Sequence, residues 1–143
     1  MSLLEFAKEG VVTVPKEESI KEAAQLMRRR SVSSLVVLEG RKPAGILTER
    51  DIVRRVVGAS RDPQSTTVGD VMTSPIITVK DDLSLPEALE TMRREGVKHL
   101  PITDEGGNMC GFFTANNVLY LLGLGLRTMG GVADHERGLV LSE

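Results

Sequence analysis

The chain repeats itself. Thr13-Val14 returns as Thr78-Val79, an offset of 65 residues. At that offset Ser19 meets Ser84, Ile20 meets Leu85, Glu22 meets Glu87, Ala23 meets Ala88 and Met27 meets Met92. Arg28-Arg29 meets Arg93-Arg94, Val32 meets Val97, Leu35 meets Leu100 and Val37 meets Ile102. The offset then becomes 66, with Gly45 against Gly111, Thr48 against Thr114 and Ile52 against Val118. The extra residue falls in the loop from Asp104 to Asn108, and hairpin loops tolerate insertions. Matches kept in this order over about 45 residues describe a duplicated unit.

Each copy has the same layout. A short strand (Val11–Val14; Ile76–Val79) precedes a helix opened by a Ser-x-x-Glu capping box, Ser19 with Glu22 and Ser84 with Glu87. The helices carry apolar faces at i, i+3, i+4, i+7: Ile20, Ala23, Ala24, Met27 and Leu85, Ala88, Leu89, Met92. Two strands follow (Leu35–Leu38 and Ala44–Leu47; Leu100–Thr103 and Cys110–Phe113), and a last helix begins at Thr48 or Thr114. The fold class is therefore α/β (α+β), with two β-α-β-β-α units. One such unit is marginal alone. Packed sheet to sheet with pseudo-two-fold symmetry, two units bury each other's open faces and leave two equivalent clefts. The division is residues 1–60 for the first repeat with its lead-in at Leu3–Lys8. Residues 61–67 form the linker, within the polar stretch Gly58–Thr67. Residues 68–124 form the second repeat and 125–143 a tail.

Composition removes several classes. Of 143 residues, 41 % are hydrophobic and 27 % charged, as in a soluble globular chain. No apolar run reaches the roughly 20 residues that span a bilayer, and the N-terminus lacks a signal-peptide stretch, so a cytoplasmic protein is expected. The net charge of −2 and the absence of tryptophan disfavour nucleic acid. Cys110 is the only cysteine and the histidines are two, so a Cys/His zinc site has no basis. No Walker loop, nucleophile elbow or triad is present, and no catalytic residue is assigned. The run Arg28-Arg29-Arg30 is a helix C-terminus, where cations are favoured.

The chemistry-bearing motif is Gly45-Ile46-Leu47-Thr48-Glu49-Arg50-Asp51-Ile52. Two readings of Thr48-x-x-Asp51 stand side by side. Thr48 is an N-cap and Asp51 completes a capping box. Alternatively, the turn presents free N–H groups and a helix dipole to a phosphate or ribose oxygen, and the carboxylate accepts from ribose hydroxyls. The motif resembles the CBS-domain signature: glycine, two apolar residues, Thr or Ser, two variable positions, Asp, apolar. Asp70-Val71-Met72-Thr73 and Leu100-Pro101-Ile102-Thr103-Asp104 also resemble that family. Over about residues 4 to 122 the chain is similar to a tandem CBS pair, a Bateman module, here expected as a stand-alone CBS-domain protein.

The resemblance implies a site. Asp51 would hold the ribose with Thr48 beside it. Lys98 and His99 would supply basic groups to phosphate from the other repeat, where the first repeat has Ser33 and Ser34. Arg50 is a further candidate. The adenine slot would be Val12, Thr13, Val14 and Val36. The blander readings stay open: Lys98 as an edge-strand gatekeeper, His99 as structural, the valines as core. A second, weaker site would use Thr78, Val79, Pro101, Thr114 and Asn117, with Asn117 where the Asp belongs and carrying no charge.

The function implied is a non-enzymatic regulatory sensor binding AMP, or ADP or ATP, with no cofactor and no metal. Alternatives are a ligand-free dimerisation scaffold and a binder of S-adenosylmethionine-type ligands. Leu119, Leu121, Leu122, Leu124 and Leu126 read as a homodimer interface or as buried core. The effector protein is not legible.

Overall fold

The computed structural model describes residues 11–114. The lead-in Leu3–Lys8, the helix expected after Thr114, Asn117 and the leucine-rich tail lie outside those residues. In chain order the elements of the first repeat are β1 (Thr13–Pro15), α1 (Ile20–Arg30), β2 (Ser34–Glu39), β3 (Lys42–Thr48) and α2 (Glu49–Ile52). Helix α2 runs on into a π-helical turn, Val53–Val57, and a single turn α3 (Val68–Val71) follows. The second repeat gives β4 (Val79–Lys80), α4 (Leu85–Glu95), β5 (His99–Thr103) and β6 (Met109–Thr114). Each repeat builds one three-stranded sheet, ordered β1-β2-β3 and β4-β5-β6. In both, the first strand is parallel to the second and the last two form an antiparallel hairpin.

The helices form as their patterns dictate. Ile20, Ala23 and Met27 are buried on α1, and Ala88 and Met92 on α4. Leu85 and Leu89 pack partly buried against the same core. Serine caps both helices, but only Ser84 and Glu87 exchange both bonds of a capping box. At α1 the Ser19 oxygen accepts from Glu22 N at 3.1 Å, and Ser19 N turns instead to Glu18 Oε1 at 3.0 Å. The expected box is half formed there, because the adjacent Glu18 carboxylate reaches the N-cap amide first.

The segment assigned as a linker is tied down. Thr66 O accepts from Ile20 N at 2.9 Å and Pro63 O from Lys21 N at 3.0 Å. A helix N-terminus leaves its first N–H groups without helical partners, and this strap supplies two acceptors. The sequence places Val68 at the start of the second repeat. The fold packs Val68 and Val71 into the core of the first, with Val14, Ile20, Leu35, Val37 and Leu47. Thr67 and Asp70 form a full capping box that holds α3 for this purpose.

The first strands are shifted from expectation. β1 ends at Pro15 rather than Val14 because a last strand residue need not donate; Lys16 N makes the next bond, to Leu38 O at 2.9 Å. Of the expected strand Ile76–Val79, only Val79 pairs, with Ile102.

Alternation divides each sheet into two faces. Leu35 and Val37 face α1, and Leu100 and Ile102 face α4. Val36, Pro101 and Phe112 are also buried but belong to neither helix-side cluster. Alternation puts them on the opposite faces. Met109 N donates to Arg41 O at 2.9 Å, hairpin to hairpin. Thr73, leading into the second repeat, pairs with the outer edge of β3 through Ile46 N to Thr73 O at 3.0 Å and Thr73 N to Ile46 O at 2.9 Å. Gly45 makes that approach possible. A Cβ on it would lie 2.7 Å from both Met72 Sδ and Thr73 O.

Candidate functional site

The motif turn is built as a cap. Thr48 Oγ1 accepts from Asp51 N at 3.1 Å, and Asp51 Oδ2 accepts from Thr48 N at 3.0 Å. The capping-box reading of Thr48 and Asp51 is therefore what the fold contains. It does not exhaust the carboxylate. Asp51 is only 6 % exposed, and a buried charge needs partners. The Thr73 hydroxyl supplies one, 3.3 Å from Oδ1 and 3.5 Å from Oδ2. Arg55 Nε lies 4.0 Å from Oδ1. Asp51 thus stands where the motif of the first repeat meets the lead-in of the second.

Beside it opens a cavity of about 290 Å³ that both repeats line. The first repeat gives Ile46 and the lead-in gives Thr73, Pro75, Ile76 and Ile77. The second repeat gives Gly96, Val97, Lys98 and His99. The floor is apolar, and the cationic group is Lys98, which is exposed. His99 is half-buried and stacks on Phe112, with ring centroids 5.8 Å apart. A half-enclosed apolar slot with a few convergent polar groups is the ordinary form of a small-molecule site.

The fold sorts the expected site residues. Lys98 and His99 line the same cavity as Thr73, the partner of Asp51, while Asp51 itself is not among the lining residues. Thr48 stands behind Asp51 as its cap. Arg50 is exposed on α2 and does not line the cavity. Ser33 lines a different groove, between α1 and α2, and its carbonyl accepts from Glu49 N at 3.0 Å. Ser34 opens β2 opposite Thr48.

None of Val12, Thr13, Val14 and Val36, the expected adenine slot, lines this cavity. Val14 lies in the core with Val12 packed on it, and Thr13 pairs with Val36 across β1 and β2. The Ile46–Thr73 bridge brings the second repeat's lead-in to the edge of β3, and Ile76, Ile77 and Val97 line the cavity. The repeat offset was the signal for them, since Ile76 and Val97 are the counterparts of Val11 and Val32.

Of the residues assigned to a second site, Thr78 is exposed and Val79 belongs to the α4 core. Pro101 is buried opposite Phe112, and Thr114 pairs with His99. Asn117 lies outside the described residues. Among those residues no grouping of His, Cys, Asp and Glu could hold a metal ion, and no helix is long and apolar enough to cross a membrane.

Known proteins share this architecture. The chain is 36 % identical over 120 residues to an uncharacterized protein of Methanopyrus kandleri, covering 83 % of this chain and 61 % of that one. It is 38 % identical over 115 residues to the inosine-5'-monophosphate dehydrogenase of Korarchaeum cryptofilum, covering 80 % of this chain but 23 % of the enzyme. The chain thus spans less than two thirds of either relative. Among solved structures it superposes on Hypoxic Response Protein I, a protein described with two coordinated zinc ions. The TM-score there is 0.72 at 28 % identity, covering 83 % of this chain and 97 % of that one. The CBS-domain profile matches residues 4–58 and again 68–123. The chain belongs to the CBS-domain family, as a tandem pair of CBS domains.

Proposed function

We propose that this CBS pair is a regulatory module that binds one adenine nucleotide, AMP first and ADP or ATP with it, in the cavity between its repeats. The observation that carries the reading is one of placement. Thr73, whose hydroxyl donates to the first-repeat carboxylate Asp51, and the cation Lys98 from the second repeat line one apolar slot of about 290 Å³. Ribose hydroxyls would take the Asp51 oxygens in place of the Thr73 hydroxyl. Ile76, Ile77 and Val97 would enclose the base, and Lys98 with His99 would neutralise phosphate. The module binds without turnover, and the ligand shifts how the repeats pack by no more than its preference between states. A cytoplasmic location, where adenylates are abundant, fits this reading.

An adenosyl sulfonium ligand shares the ribose and base but gains nothing from Lys98, so the cavity favours phosphate over S-adenosylmethionine. Calorimetry with AMP, ATP and S-adenosylmethionine on the native chain and on Asp51→Ala separates these readings. The expected result is heat with AMP or ATP that Asp51→Ala removes. No heat with any of the three, or an unchanged variant, would leave a ligand-free scaffold as the better account.

We further read the module as a homodimer. Val53 is 60 % and Val57 69 % exposed, beside an apolar groove of about 580 Å³ lined by Ala24, Met27, Val32 and Ile52. Exposed apolar surface of this kind marks an association face. Analytical ultracentrifugation of the native chain and of Val53→Asp tests it, with dimer expected for the first and monomer for the second.

A further inference from the structure

We propose that Arg55 is a positioning residue for the cavity between the repeats, holding its wall in place without touching what binds there. The inference rests on the nucleotide reading for its ligand, and on geometry alone for its clamp.

The wall in question is Thr73, Pro75, Ile76 and Ile77. Residues 74 to 78 belong to no strand. The backbone is anchored just before them, at Val71–Thr73. Helix α3 is a single turn, and carbonyls at a helix end need donors from elsewhere. One guanidinium nitrogen supplies them: Arg55 Nη1 donates to Val71 O at 2.9 Å and to Met72 O at 3.1 Å. The same guanidinium turns its Nε toward Asp51 Oδ1, 4.0 Å away. Arginine near a helix C-terminus commonly makes such bonds, and its planar fork serves several acceptors at once.

Arg55 therefore ties the ribose acceptor to the backbone that carries the cavity wall. Thr73 addresses the same carboxylate from that same backbone. Asp51 is met by Thr73 directly and by Arg55, which is itself bonded to Val71 and Met72, so one three-residue segment is tied to the carboxylate by two routes. The π-helical turn that follows Asp51 carries the arginine. Such turns inside helices are frequent at functional sites.

The duplication gives an independent observation. At the offset of 66 that aligns Thr48 with Thr114, Asp51 falls on Asn117 and Arg55 on Leu121. The repeat that has the carboxylate has the arginine; the repeat that lacks one lacks the other. A general packing role for Arg55 gives no reason for that pairing.

The test uses the full chain with Arg55→Met, which keeps the stem and loses the donors, Arg55→Lys, and Arg54→Met as a neighbour control. Amide hydrogen exchange is read over residues 71–77 without ligand, and AMP affinity is read by calorimetry. Arg55→Met is expected to speed exchange in 71–77 and weaken AMP by about tenfold each. Exchange in β2 and β3 should stay as in the native chain. Arg55→Lys should recover most of the affinity, and Arg54→Met should change neither readout.

Unchanged exchange over 71–77 in Arg55→Met overturns the clamp, whether or not AMP binds. Faster exchange with native affinity overturns the positioning role. Acceleration spread equally over β2, β3 and α1 reports global loosening and also overturns it. If the native chain takes up no AMP, the nucleotide reading fails while the exchange readout still decides the clamp.

Discussion

The Thr73 hydroxyl lies 3.3 Å from Asp51 Oδ1, so a residue leading into the second repeat is bonded to the motif of the first. Asp51 is nearly buried, and hydrogen bonds to charged groups are worth about 1.5–3 kcal/mol. Thr73→Val should lower unfolding stability by about 1–2 kcal/mol, and Thr73→Ser should recover most of it. Urea denaturation measures both. A valine variant as stable as the native chain would mean that this bond is not made in solution.

Gly45 tests the same junction from the other side. A Cβ there would meet Met72 Sδ and the Thr73 carbonyl oxygen, each at 2.7 Å. The thioether can swing away, but the carbonyl of Thr73, a residue held to Ile46 through both its C=O and its N–H, cannot. Gly45→Ala should cost about 2–3 kcal/mol, the range for overpacking a tight contact. Adding Met72→Ala should recover only part, because Thr73 O remains. Full recovery in the double variant would place the clash on the side chain alone.

Much of this was legible in the sequence, and the misses have physical causes. Offset pairs such as Met27 with Met92 fixed the repeat, and the helix faces followed from periodicity. Lys98 and His99 line one cavity with Thr73, the residue bonded to Asp51. That Asp51 sits against the lead-in of the other repeat, through Thr73, was not legible. Only the Ile46–Thr73 pairing reveals that, and a single backbone bridge leaves no pattern in composition or spacing. The strap at Pro63 and Thr66 was likewise hidden, since carbonyl acceptors carry no residue signature.

Ser31 and Gly96 end equivalent helices in the left-handed region, at φ 53° and φ 65°. Glycine holds that conformation without a Cβ penalty, and serine does not. Ser31→Gly should stabilise the chain by about 0.5–1 kcal/mol and Gly96→Ala should destabilise it by about 1 kcal/mol. Paired denaturation curves read the sign of each. Two shifts of the same sign would contradict the backbone account.

Acid should loosen the caps. Asp70 is held below the usual carboxylate range by the Thr67 N–H, then the Thr67 hydroxyl, with Arg61 adding a little. Glu87 is held below it by the Ser84 hydroxyl and then the Ser84 N–H. A carboxyl depressed in the fold contributes stability that is complete above its unfolded value. That contribution is lost as pH falls through the lowered folded value, below about pH 4. The urea midpoint should therefore drop on acidification from pH 5 to pH 3, and Asp70→Asn with Glu87→Gln should flatten part of that drop. An identical acid profile in the double variant would remove the capping carboxylates as its source.

One nucleotide site assembled from both repeats is the central claim, and stoichiometry tests it most directly. AMP is titrated calorimetrically into the native chain, into Asp51→Ala and into Lys98→Ala. These variants alter different repeats. The account predicts one AMP per native chain, and about tenfold weaker binding or none for each variant. Two AMP per chain, or a variant in one repeat that leaves affinity untouched, would contradict a shared site.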